Sequence, residues 1–196
     1  MINLMSYIDK FTSVMKGVEL TRKGDDENLE VSFWMKDVLR YLQRVKKNGN
    51  NIYIIGNGAS SSMASHFATD FTKNAGIGSY SNNDGALLTC FGNDYSFDDS
   101  YMQMLKNLMK DGDLLIAISS SGQSKNIINA VRYLKNTVTI TLSAFKPDNP
   151  LRNSGDCNLY LPTDEYGLAE SGHAYYLHLI LDLFIKFEES KWTNIE

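Results

Sequence analysis

Leu114-Leu115-Ile116-Ala117-Ile118-Ser119-Ser120-Ser121-Gly122-Gln123-Ser124 decides the fold. A short apolar run stops at a cluster of hydroxyls and a glycine, as a strand buried on both faces does. Ile127, Ile128, Val131 and Leu134 then recur at helical spacing. The same succession stands upstream. Ile52-Tyr53-Ile54-Ile55 ends at Gly56-Asn57-Gly58-Ala59-Ser60-Ser61-Ser62, and Met63, Phe67 and Phe71 mark a helix that stops before Gly76. Leu87-Leu88-Thr89-Cys90-Phe91, Val138 to Leu142 and Cys157 to Leu161 read as three further strands. Tyr101, Met104, Leu105 and Leu108 place a helix before Gly112, and a last helix runs from about Leu168 to Glu189. Apolar strands alternating with helices predict an α/β doubly wound sandwich: five parallel strands flanked by helices on both faces.

The first fifty residues read as two helices. Leu4, Ile8, Phe11 and Met15 share one face; Leu29, Phe33, Val38, Leu39, Leu42 and Val45 share another. Arg22 to Glu27 reads as a polar turn between them, and Gly49 as a stop. Residues 1–50 are thus expected as a helical extension of an α/β core over 51–196, with no linker or internal repeat. Apolar residues at positions such as Phe33 and Leu42 point to burial between subunits.

Composition narrows the function classes. The chain has 196 residues, 43% hydrophobic and 21% charged, with a formal net charge of −4. A chain this apolar folds, and its mild acidity argues against nucleic-acid binding. No apolar run is long enough to span a membrane, and no signal peptide opens the sequence. Cys90 and Cys157 show no CxxC spacing and are expected as two buried, reduced thiols of a cytoplasmic protein.

In a doubly wound sheet, ligands bind at the carboxyl ends of the strands. Two loops there are rich in Ser and Gly. In the second, hydroxyls and free N–H groups stand at a helix N-terminus and suit an anion. The loop lacks the GxxxxGK[ST] and GxGxxG patterns. Hydroxyls without a lysine point to a sugar phosphate held by neutral donors. Ser and Gly also build ordinary turns and caps, so either loop alone carries little weight.

Four segments together resemble the SIS (sugar isomerase) domain of bacterial sedoheptulose-7-phosphate isomerases. They are Ile54 to Ser61 with Ser65-His66-Phe67-Ala68; Gly92 to Phe97; Ala117 to Asn126; and His173 and His178 leading into Leu179 to Phe184. The likeness covers nearly the whole chain and implies one SIS domain. It implies that Ser119, Ser120, Ser121 and Ser124 bind the phosphate, and that Asn57, Gly58, Ser60 and Ser61 touch the sugar. Asp94 would bond sugar hydroxyls across a subunit boundary in a homotetramer. The implied activity is an aldose–ketose isomerase converting sedoheptulose 7-phosphate to D-glycero-D-manno-heptose 7-phosphate through an enediol, for surface polysaccharide. Alternatives are an isomerase of another phosphosugar, or a non-catalytic SIS sugar-phosphate sensor or scaffold.

The resemblance also implies zinc held by His66, Asp70, Glu170 and His178, with Asp70, Glu170 and His178 catalytic. His66 and Asp70, four apart, share a helix face. Glu170 and His178 lie about two turns apart, offset by roughly 80° on an ideal helix. The chain departs from the family at two positions: Asp70 stands for Glu, and Glu170 for Gln. Asp withdraws its carboxylate by roughly 1.5 Å, and Glu170 adds a negative charge. The base is therefore Asp70, with Glu170 as its rival. His173, three residues from Glu170, is either a partner of that residue or structural.

Overall fold

A computed structural model describes residues 3–25, 27–134 and 136–192; Asp26 of the expected turn lies outside them. Helix α1 (Leu4–Lys16) leads into strand β1 (Glu19–Arg22) and helix α2 (Val31–Asn48). Then follow β2 (Ile52–Ile55), α3 (Ala59–Asp70), β3 (Ser79–Tyr80), α4 (Gly85–Asp94) and α5 (Ser100–Leu108). The chain closes with β4 (Leu114–Ser119), α6 (Lys125–Tyr133), β5 (Val138–Ala144), β6 (Cys157–Leu161) and α7 (Tyr166–Trp192). The strands form one mixed sheet in the order β1-β6-β5-β4-β2-β3, parallel except for β1, which pairs antiparallel with β6.

Strand residues alternate between two cores. Ile52, Ile54, Leu114, Ile116, Ile118, Ile140 and Leu142 face α2, α3 and α7, where Trp34, Val38, Leu42, Phe67, Leu177 and Phe184 are buried. Tyr53, Ile55, Leu115 and Ala117 face α5 and α6, against Tyr101, Met104, Leu105, Ile127 and Ala130. Period 2 along the strands and 3.6 along the helices thus serve one sheet covered on both faces. Truncating a fully buried member such as Ile116 to Ala is worth about 2–5 kcal/mol.

The architecture matches the expected sandwich, with corrections: the sheet has six strands rather than five, with β1 antiparallel and the two-residue β3 unforeseen. Leu87 to Phe91 lies in a helix, not a strand: Asp84 caps α4, its carboxylate accepting from the Leu87 N–H at 3.0 Å, and α4 buries none of its side chains. Part of the N-terminal segment is a strand, because Glu19 to Arg22 pairs with Tyr160 to Cys157 at the sheet edge. Leu42 is buried within the chain, whereas Phe33 is exposed. Cys157 is buried, and burial pushes its thiol up to about 12; Cys90 is exposed on α4.

The strand order carries the functional geography. From β2 the chain crosses to β3 on one side; from β4 it proceeds to β5 and β6 on the other. The switch point therefore lies between β2 and β4, where the loops 56–58 and 120–124 emerge, and crevices at such points hold ligands.

Candidate active site

A cavity of about 260 Å³ opens at this switch point, lined by Asn57, Gly58, Ala59, Ser60, Ile118, Ser119, Ser120, Ser121, Ser124, Tyr166 and Glu170. Gly58 caps α3 at φ +54°, and Gly122 turns the second loop at φ +61°, both conformations that favour glycine. A Cβ at Gly122 would stand 1.8 Å from Asn149 Oδ1. Asn149 packs against Gly122 and is itself held in place, donating to Ser143 Oγ and the Ala144 carbonyl, while Leu151 N–H donates to the Gly122 carbonyl. Tyr101, fully buried, donates its hydroxyl to the Gly56 carbonyl at 2.7 Å. Asn57 and Asn126 exchange two amide bonds of 2.9 Å.

Within the second loop, the Ser119 hydroxyl donates to Ser124 Oγ at 3.3 Å, and Gln123 N–H donates to Ser121 Oγ. The buried Ser120 hydroxyl has no partner. A buried hydroxyl without a partner is costly unless a ligand satisfies it. Both α3 and α6 start at this cavity, so their positive dipole ends lie at it. No Lys or Arg lines it, and Lys125 pairs instead with Asp98 at 3.3 Å. Glu170 is the one carboxylate in its wall.

The residues expected to share a metal divide into three and one. His66, Asp70 and His178 offer donor atoms within 4.8 Å of one another. His66 Nε2 is 3.3 Å from Asp70 Oδ2, and the two imidazoles lie 5.5 Å apart, centre to centre. Glu170 stands outside this group and lines the cavity. Two imidazoles and a carboxylate form a donor set that zinc accepts, with a fourth position open.

His173 is structural. It is wholly buried, and its Nε2–H donates to the Ser143 carbonyl at 3.1 Å. Burial pushes its pKa down to about 4, so the ring is neutral.

Of the expected sugar contacts, Asn57, Gly58 and Ser60 line the cavity. Ser61 turns away, its hydroxyl accepting from Asn83 Nδ2 at 2.6 Å. Asp94 is exposed on α4 beside Cys90 and Asn93, outside the cavity of its own chain. Sequence reasoning missed Tyr166, although it lies one turn before Glu170 on the same face of α7. Its ring packs edge-on against Phe145, a bulky residue held at φ +64°, the kind of backbone strain that collects at functional sites.

The family described as the SIS domain matches residues 26–142. The chain is 29% identical over 176 residues to a phosphoheptose isomerase of Campylobacter concisus, covering 86% of this chain and 93% of that protein. It is 34% identical over 144 residues to a phosphoheptose isomerase of Aliarcobacter butzleri, covering 70% and 76%. The solved phosphoheptose isomerase GmhA from Neisseria gonorrhoeae has the same fold, with a TM-score of 0.77 at 24% identity over 92% of this chain and 97% of that one.

Proposed function

The chain belongs to the SIS domain family, in its phosphoheptose isomerase branch, and from that premise we propose that it interconverts sedoheptulose 7-phosphate and D-glycero-D-manno-heptose 7-phosphate. One observation carries the reading: an unpartnered buried Ser120 hydroxyl, in a serine loop at a helix N-terminus, shares its cavity with a carboxylate. Ser119, Ser120, Ser121 and Ser124 hold the phosphate. Asn57, Ser60 and Glu170 bond the sugar hydroxyls along the chain.

Asp70 is the base. Its Oδ2 faces His66, and its Oδ1 takes the proton from C1 and returns it to C2, so the enediol forms and collapses with no net gain of atoms. His178 carries the proton between the two sugar oxygens. His66, Asp70 and His178 would also hold a divalent ion, zinc by their chemistry, and it would polarise the sugar oxygens.

The protein works in the cytoplasm as a homotetramer, supplying heptose for lipopolysaccharide or capsule. Exposed Leu4, Met5 and Ile8 on α1, with Phe33 on α2, support an assembly. In it, Asp94 serves the site of a neighbouring copy.

Turnover of sedoheptulose 7-phosphate by metal-analysed protein tests the reading, with His178→Ala beside it. Conversion with stoichiometric zinc, lost in the variant while the sugar phosphate still binds, is expected. Binding without turnover in zinc-loaded wild type refutes the isomerase and leaves a sensor or scaffold.

A further inference from the structure

Asn126 sits in the first turn of α6 and is 1% exposed. Its amide and that of Asn57, on the loop after β2, close a ring of two hydrogen bonds, each 2.9 Å. Strands β2 and β4 are paired neighbours, with Ile55 opposite Ala117, so the ring ties together the two loops that leave them. Each amide has two N–H donors and two lone pairs, and the ring uses one of each. The spare lone pair of Asn126 accepts from the Ile127 N–H at 3.0 Å. The spare donor and acceptor of Asn57 belong to the cavity that Asn57 lines.

We infer that Asn126 is a positioning residue: through this amide ring it fixes the plane of Asn57, and so the donor and acceptor that Asn57 offers to the sugar. Turning both amides over preserves the ring but sets the Asn126 NH2 against the Ile127 N–H, so that bond is lost. Turning Asn57 alone sets oxygen against oxygen and nitrogen against nitrogen, and strands a buried amide. That state is disfavoured by about ten- to hundredfold. Ligand-free protein thus holds Asn57 ready, and binding spends no freedom on orienting it. The inference rests on the proposed sugar-phosphate reading for its consequence, though not for the contact.

A double-mutant cycle of Asn57→Ala and Asn126→Ala, read with sedoheptulose 7-phosphate, tests it. Asn126→Ala is expected to raise KM about five- to tenfold, with kcat moved less than about threefold. In the Asn57→Ala background, the second substitution is expected to add less than about twofold, because its effect passes through Asn57. Effects on KM that multiply, or a loss confined to kcat, overturn the inference. Asn126→Ser replaces the alanine variant if that one fails to fold. The side-chain amide resonances of Asn57 give a second readout that needs no substrate. They are expected to be distinct and rigid in the wild type and averaged in the Asn126 variant. An Asn57 amide equally ordered in both overturns the inference, whereas failure of the wild type to bind or turn over the ketose overturns only the proposed function.

Discussion

The burial of His173 makes the stability of this protein depend on pH. Replacing His173 with Gln keeps an N–H for the Ser143 carbonyl and removes the titration. In the native protein, burial holds its pKa at about 4, against an ordinary value of 6.5, outweighing the Ser143 carbonyl, which favours the charged ring. The unfolded chain therefore binds more protons between these values, so acid favours unfolding. The contribution is complete above pH 6.5, falls as pH drops from 6.5 toward 4, and levels off below. At about 1.4 kcal/mol per pH unit the loss reaches about 2 kcal/mol at pH 5 and about 3 kcal/mol at pH 4. The assay is reversible urea unfolding of metal-free protein at fixed concentration, from pH 7.5 to 4, for wild type and His173→Gln. All other ionisable groups are common to both proteins and cancel in the difference. That difference is expected to shrink by the stated amount as pH falls. A difference that stays flat from pH 7.5 to 4.5 refutes the argument that burial keeps this ring neutral.

Ser120→Ala is expected to leave thermal stability within about 1 kcal/mol of wild type, because the hydroxyl has no internal partner. It should weaken sedoheptulose 7-phosphate binding about tenfold by titration; the reverse outcome would make the hydroxyl part of the scaffold. Gly122→Ala forces a side chain into φ +61° and against Asn149. A loss of roughly 1–3 kcal/mol from the backbone alone is expected in denaturant unfolding, together with loss of sugar-phosphate binding. Unchanged binding would mean that the loop works without its Asn149 anchor.

Much of this was legible in the sequence because the buried strands are short apolar runs cut off by Gly and Ser. Residues 52–55, 114–118, 138–142 and 157–161 each lie in a strand of the sheet. The run at 87–91 has the same look, but it has no neighbouring strand and gains its first helical turn from the Asp84 cap. Glu19 to Arg22 carries no strand signal of its own; it becomes one through pairing with β6, a tertiary effect. The serine loop was readable because its residues are contiguous. The grouping of Glu170 with His178 was expected from the resemblance, whereas only His66, Asp70 and His178 come together. The partnership of Asn57 with Asn126, sixty-nine positions apart, depends on β2 and β4 lying side by side, which local pattern does not encode.

The two margins of the sheet differ from its interior in one respect that bears on life at high concentration. At one margin the antiparallel β1 covers β6; at the other β3 is only two residues long. Neither offers a long ladder of unpaired N–H and C=O groups on which a stranger could template itself. Short margins of this kind shield the parallel core from runaway strand addition. Removing the first fifty residues would strip away β1 as well as α1 and α2. The remainder would lose the cover that Trp34, Val38 and Leu42 give one face of the sheet and carry a naked, five-residue β6 at its margin, a double liability in aggregation.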